Sequence, residues 1–227
     1  MISIAIDGPA GAGKSTIAKL AAAELSYIYV DTGALYRSVG WYVLEQGKDP
    51  AEAKQVVPLL KRISVELQYV NGEQRVFLNG RDVSSEIRLP EVSMAASHVS
   101  AIPEVRKFLF SLQRELAEKN NVVMDGRDIG TVVLPHAQIK IFLTASAEDR
   151  ANRRLKQLAE AGTSVDYNTL LEEIKQRDYN DSHRAVAPLK QAEDAKLIDT
   201  TGCSLEESVD IILGYIRSCL GKLRGDC

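Results

Sequence analysis

The sequence predicts an α/β fold in which five parallel strands alternate with helices. Short apolar runs recur along the chain, at 2–6, 27–30, 121–124, 139–143 and 197–198. Each is followed by a helical pattern, as expected for a parallel sheet with helices on its faces. At 63–83 polar and apolar residues alternate around two Asn-Gly pairs, which predicts a small inserted antiparallel sheet.

Caps and apolar periodicity define the predicted helices. They cover about 14–25, 33–45, 91–119 with a boundary near Pro103, 146–162, 167–181, and a last helix from Ser204. Ser146 with Asp149 matches a capping box, in which two side chains satisfy the first backbone N–H groups of a helix. Ser204 with Glu207 matches the same pattern. Asp49-Pro50 predicts one further helix start.

Length and composition indicate one globular domain, since the 227 residues are 45% apolar and 26% charged. We expect a core at about 1–35, 120–148 and 184–220, an insertion at about 36–119, and a helical lid at about 149–166. No apolar run approaches the ~20 residues of a membrane span. The first eight residues lack the basic flank of a signal peptide.

The charge balance argues against polyanionic partners. With 28 Lys and Arg against 31 Asp and Glu, the formal net charge is −3, which gives no overall attraction for nucleic acid or membranes. An anion site must therefore be built locally. Cys203, Cys219 and Cys227 lack metal-ligand spacing, so we expect reduced thiols in a cytoplasmic protein. Nothing in the pattern demands more than a monomer.

One segment matches a phosphate-binding loop at every fixed position of G-x-x-x-x-G-K-[ST]. It reads Gly8-Pro9-Ala10-Gly11-Ala12-Gly13-Lys14-Ser15, followed by Thr16, and lies between a predicted strand and a predicted helix. Its glycines let backbone N–H groups surround phosphate oxygens, and the helix N-terminus adds positive potential. Lys14 would reach the β- and γ-phosphates of ATP, and Ser15 would ligate Mg²⁺. The segment predicts nucleotide binding on a P-loop NTPase type of fold, without specifying a reaction.

Two further segments follow predicted strands, where ligands bind in parallel sheets. In Asp31–Arg37, the guanidinium of Arg37 could hold a second phosphate as a bidentate fork, or lie solvated on an ordinary turn. In Asp125–Gly130, Asp125 suits a direct or indirect partner of Mg²⁺ and Arg127 suits a phosphate. A purely structural ion network is the alternative for this second segment.

One predicted helix carries an arginine cluster. Arg150, Arg153 and Arg154 share a face because they are spaced at i, i+3 and i+4. Such a face is often only solvated. In phosphoryl transfer, however, a mobile arginine neutralises the charge that the transition state spreads over the equatorial oxygens.

A second set, Arg177, Asp181 and Arg184, falls at i, i+4 and i+7 and shares a face if the helix continues that far. A salt-bridge ladder is the alternative. An arginine surplus beside a phosphate loop in an acidic chain favours a site for two anions, a donor nucleotide and a phosphorylated acceptor. A GTPase is disfavoured because the base-specificity sequence N-K-x-D is missing.

Taken together, these segments resemble bacterial cytidylate kinases of the nucleoside monophosphate kinase family. The phosphate loop, Asp31–Arg37, Asp125–Asp128 and Arg184–Leu189 occur in the family's order over about residues 2–218. The unit at 63–83 is similar to the extended acceptor-binding region of bacterial members. The resemblance implies Mg²⁺-dependent, in-line transfer of the γ-phosphoryl group of ATP to CMP, with CMP against dCMP left open.

The resemblance also implies roles for individual residues. It assigns the cytosine edge to Ser97, Arg106 and Asp128. It assigns the acceptor phosphate to Arg37, Arg127 and Arg184, and the ribose to Arg177 and Asp181. Thr32, where some members have Ser, and Asp125 complete the acceptor set. The catalytic groups would be Lys14, Arg127, Asp128 and the three arginines of the lid over ATP, Arg150, Arg153 and Arg154.

Hydrogen bonding explains a preference for cytosine. A carboxylate at Asp128 accepts from the exocyclic amine, whereas uracil would place an unpaired carbonyl there, which costs about 1–3 kcal/mol. The main alternative is a kinase of uridylate or of a sugar acid. A nucleotide-dependent binding module without a phosphorylated product explains the acceptor-side arginines less well. An ssDNA-binding ATPase is disfavoured by the 6% aromatic content.

Overall fold

A computed structural model describes residues 1–70, 73–160 and 162–225. Its strands are β1 (Ser3–Asp7), β2 (Ile28–Asp31), β3 (Val65–Val70), β4 (Glu73–Leu78), β5 (Arg81–Asp82), β6 (Val122–Gly126), β7 (Ile139–Thr144) and β8 (Lys196–Asp199). Five of them form a parallel sheet in the order β2-β6-β1-β7-β8. β3, β4 and β5 form a separate antiparallel sheet. The predicted α/β fold with an antiparallel insertion is confirmed.

The helices follow the predicted segments closely. They are α1 (Lys14–Leu25), α2 (Thr32–Glu45), α3 (Ala53–Val56), α4 (Pro90–Ser100), α5 (Pro103–Lys119), α6 (Ala147–Glu160), α7 (Tyr167–His183) and α8 (Leu205–Arg224). Short 3₁₀ helices cover Val57–Arg62 and Glu86–Arg88, and a π-helical turn covers Ile129–Val133. No helix within the described residues combines the length and apolar character needed to cross a bilayer.

Two predicted helix starts differ from the structure. Asp49-Pro50 is wrong as a helix start, because the Asp49 carboxylate accepts from Ala51 N at 2.9 Å in a local turn and α3 begins only at Ala53. Only one of the two hydrogen bonds of the capping box predicted at the start of α6 is present. Ser146 Oγ accepts from Asp149 N at 3.1 Å, but the Asp149 carboxylate accepts from Gly202 N at 2.6 Å instead of returning to Ser146.

The parallel sheet is buried on both faces. On one face, Ile4 and Ile6 of β1 pack with Ile17 of α1 and with apolar residues of α8. On the other face, Ala5 and Met124 pack against the π-helical turn and the end of α5. Because side chains alternate along a strand, a continuous apolar run is what a strand covered on both faces requires.

The insertion has an apolar cluster of its own. Leu35 of α2, Val76 of β4, Val99 of α4 and Leu109 of α5 are all buried within it. The turn between β4 and β5 has both Asn79 (φ 50°) and Gly80 (φ 80°) in the left-handed region, as the Asn-Gly pair predicts. The other pair, Asn71-Gly72, lies outside the described residues.

Side chains of the insertion also contact the edge strand of the parallel sheet. The Tyr69 hydroxyl donates to the carbonyl of Tyr29, and the backbone N–H of Asp31 donates to Gln74 Oε1 at 3.1 Å. Because β2 is an edge strand of the sheet formed by the described residues, these contacts satisfy backbone groups that a neighbouring strand would otherwise pair.

Candidate functional site

A cleft opens at the carboxyl ends of β1, β2 and β6. The phosphate loop forms one wall, and α2, α4, α7 and the segment after β6 form the others. Ligands of parallel α/β sheets bind at this edge. The cleft is therefore the place to test each predicted site residue.

The phosphate loop is shaped for close backbone approach. A Cβ atom at Gly8 (φ 147°) would lie 1.9 Å from the carbonyl oxygen of Leu143, so only glycine fits there. Gly13 precedes α1 and offers no side-chain cap, which leaves the first N–H groups of the helix open to an anion. The Lys14 ammonium donates to Pro9 O at 2.6 Å. Burial and the nearby charge of Arg127 lower the pKa of Lys14 to about 7.

Oxygen donors suited to Mg²⁺ lie beside this loop. Ser15 Oγ donates to Asp125 Oδ2 at 2.9 Å, and the Tyr29 hydroxyl donates to Asp125 Oδ1 at 2.9 Å. Burial, reinforced by the charge of Asp31, raises the pKa of Asp125 to about 6. The described residues contain no cluster of three or more His, Cys, Asp or Glu side chains that could hold a metal alone. One hydroxyl and one carboxylate match the few protein ligands that Mg²⁺ uses beside nucleotide phosphates.

Arg37 of α2 lines the cleft. Its guanidinium forms an ion pair with Asp31 at 2.8 Å, while Asp31 also caps α2 by accepting from Ala34 N at 2.9 Å. A Cβ atom at Gly33 would lie 2.9 Å from Arg37 Nη1, so the glycine makes room for this side chain. Arg37 therefore lies in the cleft rather than on a solvated turn.

A buried ion cluster surrounds Asp128. Its carboxylate accepts from Arg106 and, at 3.1 Å, from Arg184 Nη2. Arg106 lies over the ring of Tyr36 at 5.6 Å from the ring centre, and Arg184 Nη1 donates to Ser100 Oγ at 3.0 Å. Two arginines fix one carboxylate from two directions, which leaves its position strongly determined.

A second cluster surrounds Asp181. Arg127 Nε donates to Asp181 Oδ2 at 2.7 Å, and Ser97 Oγ donates to Asp181 Oδ1 at 3.2 Å. Arg177 is different, because it forms no hydrogen bond or ion pair with any described residue and its buried Nε has no partner. Burial and the charge of Arg127 lower the pKa of Arg177 to about 10.

The spacing predicted that Arg177, Asp181 and Arg184 share a helix face if the helix continues to Arg184. It does not continue that far, so Arg184 does not share this face. α7 ends at His183, and Arg184 follows in an extended conformation with φ −63° and ψ 142°. Its Nε donates to Ala187 O at 2.7 Å, which holds the chain in a turn. The extended backbone directs Arg184 to Asp128, so the residue reaches the cleft by a different route.

The three arginines of α6 do not line the cleft. Arg150 donates to Ala10 O at 3.0 Å and to both carboxylate oxygens of Asp178 at 3.0 and 2.5 Å. Arg153 donates to the carbonyls of Thr200 at 2.9 Å and Cys203 at 3.2 Å. Arg154 forms no hydrogen bond or ion pair with the part of the chain that the structure describes. Arg150 thus connects α6 to the phosphate loop, and Arg153 connects it to the segment after β8.

The predicted site residues thus divide into two groups. The cleft brings together Ala10, Gly11, Lys14, Ser15, Thr32, Arg37, Ser97, Asp125, Arg127, Asp128, Arg177, Asp181 and Arg184, with Arg106 directly behind Asp128. The predicted residues that do not line it are Gly8, Pro9, Ala12, Gly13, Thr16, Arg150, Arg153 and Arg154. Sequence reasoning missed Tyr36 and Ser100. Tyr36 directly precedes Arg37, and Ser100 lies one helical turn after Ser97. Proximity to a predicted site residue was therefore the only sequence signal for either position.

A comparison with known proteins assigns this arrangement to a family. The cytidylate kinase family profile matches residues 4–218, which include the phosphate loop and every arginine of the cleft. The chain belongs to the cytidylate kinase family. It is 56% identical over 212 residues to a cytidylate kinase of Caldicellulosiruptor bescii, covering 93% of this chain and 94% of that protein. It is 50% identical to a cytidylate kinase of Bacillus thuringiensis, covering 97% and 98%.

Solved structures agree on the fold of this cytidylate kinase family member. A gluconokinase from Sinorhizobium meliloti matches with a TM-score of 0.51 at 14% identity, covering 99% of this chain and 97% of that one. An uncharacterised protein from Eubacterium ventriosum matches with a TM-score of 0.53 at 16% identity, covering 96% and 99%. At such identities the likeness concerns the fold alone.

Proposed function

We propose that the protein transfers the γ-phosphoryl group of ATP to CMP, and to dCMP, in a Mg²⁺-dependent reaction. Its relatives at 50–56% identity carry the name cytidylate kinase. The observation that carries the choice of base is the buried Asp128 carboxylate, fixed by Arg106 and Arg184 in the cleft that the phosphate loop also lines.

The Asp128 cluster complements the cytosine edge. The carboxylate accepts from the exocyclic amine, and the neighbouring Arg106 donates to the ring nitrogen and carbonyl acceptors. Ser97, which is buried and lines the same cleft as Asp128, would add a hydroxyl. Uracil would place a carbonyl oxygen against the carboxylate, so we expect CMP to be preferred over UMP by roughly tenfold to a hundredfold.

The remaining arginines suit the acceptor phosphate and sugar. Arg37, Arg127 and Arg184 are each paired with a carboxylate, so binding of a phosphate would require partial exchange of that carboxylate for phosphate. Arg177 needs no exchange, because its guanidinium is already free of partners among the described residues. Together with Asp181, Arg177 would bind the ribose hydroxyls.

The chemical step needs orientation and neutralisation of charge rather than a covalent intermediate. The acceptor phosphate is itself an anionic nucleophile, and in-line geometry follows if the two phosphates meet between Lys14 and Arg127. Ser15 and Asp125 would hold Mg²⁺, which would neutralise the donor phosphates. Lys14 supplies positive charge to the transferred group, and closure of the insertion would exclude water.

The test is a coupled ADP-release assay with ATP and Mg²⁺ across CMP, dCMP, UMP, AMP and gluconate. We expect kcat/KM for CMP to exceed that for UMP at least tenfold, with dCMP accepted. Equal activity with CMP and AMP, or a preference for gluconate, would contradict the proposal. The Asp128→Asn variant provides the matched control, since its amide can donate to uracil and should shift the preference toward UMP.

A further inference from the structure

Asp7 forms an unusual contact at the end of the central strand β1. Its carboxylate accepts from Ile129 N at 2.8 Å and from Gly130 N at 2.7 Å, residues more than 120 positions away in the chain. The side chain is 4% exposed and lines neither wall of the cleft. Burial raises the pKa of Asp7 to about 6, and the two N–H groups oppose this rise, as expected for donors to a carboxylate.

The same two N–H groups begin the π-helical turn that follows Asp128. An aspartate in the N-cap position usually accepts from the first N–H groups of its own helix. Asp128 is the N-cap here, but its side chain makes no such bond. Its two carboxylate oxygens accept instead from Arg106 and Arg184.

Asp7 therefore takes over the capping that Asp128 gives up. The position of Asp7 is rigid, because β1 lies between β6 and β7, with Asp7 aligned with Gly126 and Phe142. Gly130 leaves the required space, since a Cβ atom there would lie 3.4 Å from Asp7 Oδ2 and 3.2 Å from Lys140 Cδ.

We infer that Asp7 is a positioning residue for base selection, because it caps the π-helical turn in place of Asp128 and so frees the Asp128 carboxylate for the acceptor base. The inference rests on the proposed function. A positioning role predicts a change in the preference for CMP over UMP. Loss of a merely structural aspartate would instead lower activity with CMP and UMP by the same factor.

The decisive variant is Asp7→Asn, which keeps one oxygen acceptor but turns an NH₂ group toward the second N–H. Asp199→Asn is the matched control. Asp199 also ends a parallel strand and accepts two bonds from the following loop, from Thr201 N and Thr201 Oγ1, but it is exposed and remote from the cleft.

Two readouts are measured on the whole protein. Amide hydrogen exchange over residues 129–133 should accelerate at least tenfold in Asp7→Asn and stay unchanged in Asp199→Asn. The ratio of kcat/KM for CMP to kcat/KM for UMP should fall at least fivefold in Asp7→Asn, mainly through a higher KM for CMP. The KM for ATP should change less than threefold.

A double variant shows whether Asp7 acts through Asp128. In an Asp128→Asn background, adding Asp7→Asn should leave the CMP to UMP ratio unchanged, because the group that Asp7 positions is already lost. A further decrease of this ratio in the double variant would overturn the inference. It would also be overturned by a CMP-selective wild type whose preference survives in Asp7→Asn. A wild type without CMP preference contradicts the proposed function itself, and the selectivity role of Asp7 falls with it.

Discussion

The two sides of the cleft are built in different ways. On the proposed donor side, one contiguous segment, Gly8–Ser15, would bind phosphate through backbone N–H groups and the side chains of Lys14 and Ser15. The proposed acceptor side collects its groups from α2, α4, α5, α7 and the segment after β6, and these groups are side chains, most of them ion-paired. A triphosphate is the same in every nucleotide and can be held by backbone, whereas a base edge must be recognised by side chains.

The Lys14→Ala variant tests the proposed donor side. It removes a positive charge from the transferred phosphate, so we expect kcat to fall at least ~10²-fold, as for other preorganised donors. Steady-state assays with saturating CMP would measure this. Lys19→Ala, an exposed lysine of the same helix, should retain normal turnover. A Lys14→Ala enzyme with near-normal kcat would show that backbone groups alone bind and activate the donor.

The acceptor side is probed by Arg177→Ala. Because Arg177 has no partner among the described residues, its removal should leave thermal unfolding unchanged or slightly raise the Tm. The KM for CMP should nevertheless rise about tenfold, the loss of a hydrogen bond to a charged group. Lys175→Ala, at an exposed site on the same helix, should change neither quantity.

Arg127→Ala should lower stability, whereas Arg177→Ala should not. It leaves the buried Asp181 carboxylate without its partner, which should cost about 3–5 kcal/mol of stability. Chemical denaturation of both arginine variants would compare them directly. Similar stability losses for Arg177→Ala and Arg127→Ala would contradict the distinction between a free and a paired arginine.

Proton linkage tests the donor side at a finer scale. With a pKa of about 7, Lys14 is mostly neutral at pH 8 in the free protein. Bound phosphates raise the pKa, so ATP binding at pH 8 should take up as much as about 0.9 proton, and affinity should fall as pH rises above 7. Calorimetry in two buffers of different ionisation enthalpy measures this uptake. Lys14→Arg, which stays charged, should bind ATP without it.

The smallest expected effect concerns the insertion that carries much of the acceptor side. Tyr69→Phe removes the hydrogen bond to Tyr29 O, so the free energy of unfolding should fall by about 0.5–1.5 kcal/mol. Denaturant titration would detect the change. Tyr179→Phe is the control, since the Tyr179 hydroxyl is exposed and makes no hydrogen bond with the described residues. Equal stability of both variants would show that the contact adds nothing.

Local patterns allowed the donor side, the strands and most helices to be predicted. The acceptor side depends on long-range contacts, so Ser97 and Arg106 could be placed only by resemblance to a family. Spacing suggested that Arg184 lies on α7, but the helix ends one residue earlier. Helical spacing also grouped Arg150 with Arg153 without showing which way the face points. Asp7 was missed because its hydrogen-bond partners lie over 120 residues away.

The contacts of Tyr69 and Gln74 with β2 have a consequence for behaviour at high concentration. An uncovered outer strand offers its backbone to other chains, which promotes sheet-to-sheet aggregation. Here two side chains of the protein itself occupy Tyr29 O and Asp31 N, at 40 and 43 residues' separation in sequence. The insertion thus covers part of this sheet edge, and a loosened insertion would expose the edge to neighbouring molecules.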